Sequence, residues 1–425
     1  MQKLISEVKK IGIKNTLFII LLYTLSGWNF FNIFGIREAL QAPLILVMIW
    51  MLVKGNYYRL IENKTICILI FLISYLTLLA LAKSFDFFLI YGLIFSLFGI
   101  FIIGSIPDDS VVKLSRVILV ISVIAAASSL FLFFAILLSP DLKDIFLYEN
   151  SLEVAPFFLR PWLIFGSVMY ETYEVGMFII PRVKSFANEP SSLLAYFYFP
   201  LAFSLLFQHK KSFLVILAFL ALSLSGSVYS FFLLLPIIYL LFTISKKINS
   251  SLYPMGLLSS SLVILLCVAF NFDRYDLQIK DFDITPLYSP DYENFSGDFA
   301  FKRSWSALIR LSSISSAMHE VFSSPMFGSD FYTQVPFGYI LYSSFVAGVG
   351  GFLLVTMMFI KTYDLIGKRM VSCNSYREFF SMLFFSSYFF IAFLYNDYGF
   401  STPYGMIIFA LAIRVISMKL KKCAA

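Results

Sequence analysis

Charge is scarce in this chain. Of its 425 residues, 13% are Asp, Glu, Lys or Arg, whereas 60% are apolar and 19% aromatic. A water-soluble fold of this length needs more polar surface than that, so a soluble enzyme is excluded. Cysteine and histidine are scarce too. Cys67, Cys267, Cys373 and Cys423 form no Cys-x-x-Cys pair and no Cys/His ligand spacing, and the histidines are His209 and His319. That excludes a structural zinc site, and no disulfide is expected.

What is abundant is hydrocarbon, arranged in repeated runs of about 17–25 residues, the length that crosses a bilayer. Twelve such runs are read, at 15–33, 38–54, 64–82, 87–104, 116–138, 190–208, 212–225, 227–245, 253–271, 336–360, 378–395 and 402–418. The first is too long for a cleaved signal peptide and is read as a span. The expected fold is therefore an all-α polytopic membrane protein, residues 1–425 forming a single integral membrane domain. With the N-terminus placed in the cytoplasm, 20 of the 32 Lys and Arg residues fall on inside segments. Each inside segment holds at least two, as the positive-inside rule requires, and both termini are cytoplasmic. The net charge of +7 is thereby assigned to topology, with no nucleic-acid partner.

Two connections are long, at about 139–189 and 271–335, and both fall outside. Long loops in a compact protein tend to carry function. In the first, Pro156–Phe165 is apolar but too short to span, and Trp162 suits the headgroup layer. Tyr170, Glu171, Tyr173 and Glu174 follow. Aromatic faces beside carboxylates suit sugar binding, and an aromatic belt with solvated acids is the alternative. The loop closes on Arg182, Lys184, Asn188, Glu189, Pro190 and Ser191. Pro190 suits the first position of a helix, which makes Asn188 or Glu189 its N-cap. The positive helix end joins Arg182 and Lys184 there. Two readings stand: an anion site holding a carboxylate, or a capping Glu paired with Arg182.

The second loop begins with acids and tyrosines. Its Asp281 and Asp283 form a D-x-D pair, a spacing common by chance, and no metal is assigned to it. From about residue 301 a short helix is expected. At 100° per residue it aligns Arg303, Ser306, Arg310 and Ser313 in one stripe. Arginines at i and i+7 lie about 10 Å apart along the axis. That spacing suits a diphosphate or two phosphates, and guanidinium forks match phosphate oxygens. A polar stripe turned to water is the plain alternative. His319 lies on the more apolar side of this helix and is the external histidine available as a base.

These segments together resemble the Wzy-type polymerases of the O-antigen polymerase and ligase superfamily. The resemblance rests on Arg182, Ser185 and Glu189-Pro190-Ser191 at the start of a span, on Arg303 and Arg310, and on the Pro325-Met326-Phe327-Gly328 turn. The Ser225-Gly226-Ser227 junction resembles the family's small-residue segment. The chain departs from the pattern where Ser185 stands for a usual Gly, Val228 for a frequent Arg, and Ser324 for the His common before the turn in ligases. The resemblance implies a GT-C-like fold in the bacterial inner membrane. It implies a metal-independent inverting glycosyltransferase that needs no cofactor. Such an enzyme moves a growing glycan from undecaprenyl diphosphate onto a new lipid-linked repeat unit. Glu189 would be the catalytic base, with Arg182, Arg303 and Arg310 on the diphosphate. Lys184, Tyr170, Tyr173, Ser306, Ser313 and His319 would bind substrate. The implied partners are undecaprenyl-diphosphate-linked oligosaccharide, membrane lipid and a polysaccharide chain-length regulator. The rival readings are a ligase on the same architecture, which needs a histidine base, and a lipid-linked oligosaccharide flippase, which holds its charges inside the bundle.

Overall fold

The computed structural model describes residues 63–83, 87–142, 168–175, 178–183, 193–223, 225–248, 253–259, 339–394 and 402–418, with single positions at 18, 46, 48–51, 53, 185, 326 and 328. Nine helices order the described residues, beside shorter helical stretches at 48–51 and 253–259: α1 (Lys64–Lys83), α2 (Phe87–Ser105), α3 (Asp108–Leu138), α4 (Leu193–Leu206), α5 (Lys210–Leu222), α6 (Gly226–Ile248), α7 (Tyr339–Val371), α8 (Tyr376–Leu394) and α9 (Pro403–Ser417). Four stretches are long and apolar enough to cross a membrane: Lys64–Lys83, Asp108–Leu138, Ser227–Lys246 and Val346–Val371. The protein is a helical membrane protein. Each helix falls on an expected apolar run. Two begin or end well beyond it: α3 starts at Asp108 rather than 116, and α7 continues to Val371 rather than 360. Lys113, Lys361, Lys368 and Arg369 therefore ride on helical turns beyond the apolar runs. The expected spans 15–33, 38–54 and 253–271 lie mostly outside the described residues.

Local chemistry sets several helix ends. Ser375 caps α8, its Oγ accepting from the Glu378 N–H at 3.2 Å, while the Glu378 carboxylate accepts from the Asn374 N–H at 3.3 Å. This is a variant of the Ser-x-x-Glu device, in which the glutamate reaches the amide of the residue before the cap instead of the cap's own. Thr402 caps α9 in the same manner through Gly405 N–H at 3.1 Å, with Pro403 at the first helical position.

The first external loop adds an element to the expected all-α plan with its short loop helices. Val168–Val175 and Phe178–Val183 form an antiparallel strand pair, β1 and β2. The residues explain it. Val, Tyr, Thr and Ile favour a pleated backbone, and Val175 pairs with Phe178, leaving Gly176 and Met177 between them. Gly-x is a two-residue hairpin connection. Pro181 costs no ladder bond on its free side, because both strands of a two-stranded sheet are edges.

Helix α4 lies at the centre, packed against α3, α5, α6, α8 and α9. Nearly all of Leu193–Leu206 is buried, as expected of a helix apolar all round. Serines fasten its surroundings. Ser381 Oγ on α8 donates to Ala202 O on α4 at 2.7 Å, and Ser387 Oγ donates to Phe231 O on α6 at 2.8 Å. Small hydroxyls allow close helix approach and hydrogen-bond across it without carrying charge into the apolar layer. Aromatic faces fill the rest. Tyr198 on α4 stacks on Tyr388 of α8 with ring centroids 3.5 Å apart.

Candidate functional site

The site begins at the hairpin end of the bundle. β2 packs against α3, and α3 packs against α4. Residues 184–192 join β2 to α4, and Lys184 and Glu189 are among them. The register pairs Val168 with Val183 and Thr172 with Pro181, with an irregularity between them. Arg182 sits in that interval on β2, and Tyr170 sits in it on β1. Tyr173 pairs with Ile180. The strand pair thus brings together, at the level of the backbone, one arginine and two tyrosines that the sequence assigned to the same site. Ile180 anchors the strand by packing against the core.

Ser185 follows, buried at 1% exposure with φ 53°. A left-handed conformation costs a residue with a Cβ roughly 1–2 kcal/mol. It is where a glycine is ordinarily found, and Ser185 occupies the position at which the resembling family has Gly. Gly328, closing the Pro-x-x-Gly turn of the second loop, also has positive φ, 70°. Both motif positions hold the backbone in the left-handed region. The third motif segment is buried: Ser225 and Ser227 share a hydrogen bond at 2.9 Å beside the start of α6, and Val228 is wholly covered. An arginine at 228 would meet the core, which accounts for the apolar residue there.

Glu189, Lys184, Arg303, Ser306, Arg310, Ser313 and His319 lie outside the described residues, as do Asp281 and Asp283.

The sequence reading passed over a further feature at this end. Helix α7 breaks at Gly348, where φ is 57° and ψ −148°, a region open essentially to glycine alone. The break frees carbonyls within the apolar run. Lys83 Nζ, at the last turn of α1, donates to Val346 O at 3.1 Å, and Tyr75 OH donates to Ala347 O at 3.3 Å. Close packing makes this possible, because a Cβ on Gly350 would stand 2.8 Å from the Tyr75 hydroxyl. Irregular backbone at membrane depth persists only where protein or a polar cavity satisfies it. The result is a cation and a break in the apolar wall at the hairpin end. The signal was available as Gly348, Gly350 and Gly351 clustered in one span, with Lys83 ending another.

No protein-family model matches the chain, and no curated protein matches it.

Proposed function

We propose that this protein is a metal-independent inverting glycosyltransferase of the O-antigen polymerase kind. It extends a glycan carried on undecaprenyl diphosphate at the outer face of the cytoplasmic membrane. The proposal includes a GT-C-like fold of about twelve spans with both termini cytoplasmic. The observation that carries it is the pair of left-handed turns at Ser185 and Gly328. They fall at the two positions where the motifs of the resembling family carry glycine, the residue that takes such a backbone most readily.

In this reading the acceptor hydroxyl of a new lipid-linked unit attacks the anomeric carbon of the growing chain. The glycosidic oxygen bond forms as the bond to diphosphate breaks, with inversion. Glu189 takes the hydroxyl proton, which requires a carboxylate within hydrogen-bond reach. Undecaprenyl diphosphate departs with the negative charge, and Arg182, Arg303 and Arg310 stabilise it, charge stabilisation being among the largest catalytic contributions available. Lys83 adds positive charge at the same end. Tyr170, Tyr173, Ser306, Ser313, Lys184 and His319 bind the sugars and phosphates.

Deletion of the gene tests the reading. A polymerase predicts surface glycan that stops at a single repeat unit. Accumulation of carrier-linked polymer would make the protein a ligase, and absence of any exported glycan would make it a flippase. Either outcome overturns the proposal.

A further inference from the structure

Nothing in the composition of Tyr339–Val371 obliges α7 to break. The element holds no proline, and glycine takes helical angles as well as those found at Gly348. The break is nevertheless sharp. A Cβ added at Gly351 would collide with Ser343 O and Ala347 Cβ. Residues eight apart in a straight helix lie about 12 Å apart along the axis. The segment before Gly348 is therefore an arm folded against the turns that follow it. Ser343, Val346 and Ala347 on the arm are buried. Crossing the membrane does not require it. The stretch apolar and long enough to cross starts at Val346. The part after Gly348 rises about 34 Å, against roughly 30 Å of hydrocarbon.

The donors that reach the end of the arm come from α1. In an unbroken helix Val346 O and Ala347 O accept from the N–H groups of Gly350 and Gly351. Here Lys83 Nζ donates to Val346 O and Tyr75 OH to Ala347 O. Tyr75 also fills the space beside Gly350, since a Cβ there would stand 2.8 Å from its hydroxyl. The same two carbonyls thus have two sets of donors open to them. Backbone amides serve them in a straight helix, and α1 side chains serve them in the folded one. An element with two such packings is what a conformational switch needs.

We propose that Gly348 is the hinge of a latch. Lys83 and Tyr75 hold the arm folded, and their release lets α7 straighten. The arm then extends along the helix axis by roughly 13 Å. It is the direct continuation of the second external loop, so the latch sets where the end of that loop is held. The device stands on the geometry of α1 and α7 and does not rest on the proposed glycosyl transfer.

Spin labels at Tyr342→Cys and Lys361→Cys test it, in full-length protein in lipid nanodiscs with the native cysteines replaced by serine. The first position lies before the hinge, and the second follows it at an exposed site. A straight helix separates the two by about 29 Å, and an arm folded through a right angle or more brings them to about 21 Å or less. Pulsed dipolar spectroscopy is expected to find the short distance in the otherwise wild-type protein. In the double variant Lys83→Met/Tyr75→Phe the long distance is expected to become the major one. Tyr75→Phe removes a single hydroxyl, and there the long fraction is expected to rise about tenfold. A long or unresolved distance in the otherwise wild-type protein, which needs no latch variant to fold, overturns the folded arm. A short distance unchanged in the double variant overturns the latch. If that variant does not fold, an unchanged distribution in Tyr75→Phe does the same. The distances are read without glycan synthesis, so failure here and failure of the proposed activity are separable.

Discussion

Arg414 Nη2 on α9 lies 2.7 Å from Asp108 Oδ1 at the start of α3, and the same nitrogen donates to Ile106 O at 3.0 Å. Arg414 Nη1 reaches Gly104 O at 3.5 Å. One guanidinium thus ties three helices together: it belongs to α9, covers carbonyls at the end of α2 and pairs with the first acid of α3. A cation at the carbonyl end of one helix and an acid at the amide end of the next both match the backbone dipoles.

The two partners are unequal, and this gives the first prediction. The Arg414 side chain is 8% exposed and that of Asp108 60%. Arg414→Met should remove the donor from buried carbonyls and cost about 2–3 kcal/mol. Asp108→Asn should cost less than about 1 kcal/mol, because an exposed carboxylate is well solvated without its partner. Thermal unfolding in detergent measures both. Equal losses would mean that the ion pair, not the capped carbonyls, holds the three helices.

The break in α7 yields the second. Gly348→Ala introduces a Cβ into a conformation that L-residues avoid, at a cost of roughly 1–3 kcal/mol. The alternative is a straightened α7, in which Lys83 and Tyr75 lose their acceptors. Gly256, in the helical stretch 253–259, meets nothing within 4 Å of an added Cβ. Gly256→Ala should therefore be neutral or stabilising by up to about 1 kcal/mol. The opposite signs are read by the same unfolding measurement. A stabilised Gly348→Ala variant would show that the break is not a required feature.

Much of the helical plan was legible because a membrane span announces itself by length and hydropathy, which do not depend on tertiary contacts. The nine described helices sit on apolar runs, and the capping signals at Ser375 and Thr402 stand openly in the sequence. The hairpin was not read, although Val168–Val175 and Phe178–Val183 carry strand residues around a Gly-x pair. Its weak two-residue periodicity was hidden by the aromatic and acidic residues that suggested sugar binding. The α7 break was missed for a different reason. Clustered glycines are common in spans that pack closely, and only the geometry of Gly348 separates packing from a broken helix. At the candidate site, Arg182, Tyr170 and Tyr173 proved to share one strand pair, a relation that requires the register and that spacing alone does not supply.

A third prediction concerns Cys373, between α7 and α8. Burial pushes its thiol up to about 12, with the Glu378 carboxylate adding to the rise and Arg369 opposing it. Its Sγ also donates to Arg369 O at 3.1 Å. Thiolate is the reactive form. A shift from the ordinary thiol range to about 12 leaves roughly a thousandth of the usual thiolate at neutral pH. Maleimide should therefore label Cys373 about 10²–10³ times more slowly than an Asn374→Cys variant, whose position is exposed. The linkage has a definite sign. The folded form holds its proton to higher pH than the unfolded chain, so this thiol stabilises the fold fully below about pH 9. That stability is lost as pH rises from there toward about 12. Fast labelling of Cys373 at pH 7 would contradict both the burial and the hydrogen bond.

The last prediction separates chemistry from architecture at the proposed active site. Arg182 lies on β2, and Glu189 precedes the helix that the strand leads into. If Arg182 grips diphosphate oxygens, Arg182→Ala should slow polymer formation about 10²-fold or more. Arg182→Lys should also be harmful, because an ammonium keeps the charge but loses the two-pronged fork. A purely structural arginine would instead be rescued by lysine. Glu189→Gln keeps the size and the hydrogen-bonding oxygen but cannot accept a proton. A base therefore predicts that Gln abolishes polymer while lipid-linked substrate still binds. A helix cap predicts near-normal turnover and at most about 1 kcal/mol of lost stability. Glu189→Asp restores the carboxylate one methylene short, so partial activity there with none in Gln would identify proton transfer. Turnover of a defined lipid-linked repeat unit, measured beside the unfolding midpoint of each variant, decides between them. A Gln variant with wild-type turnover removes Glu189 as the base and makes His319 the residue to test next.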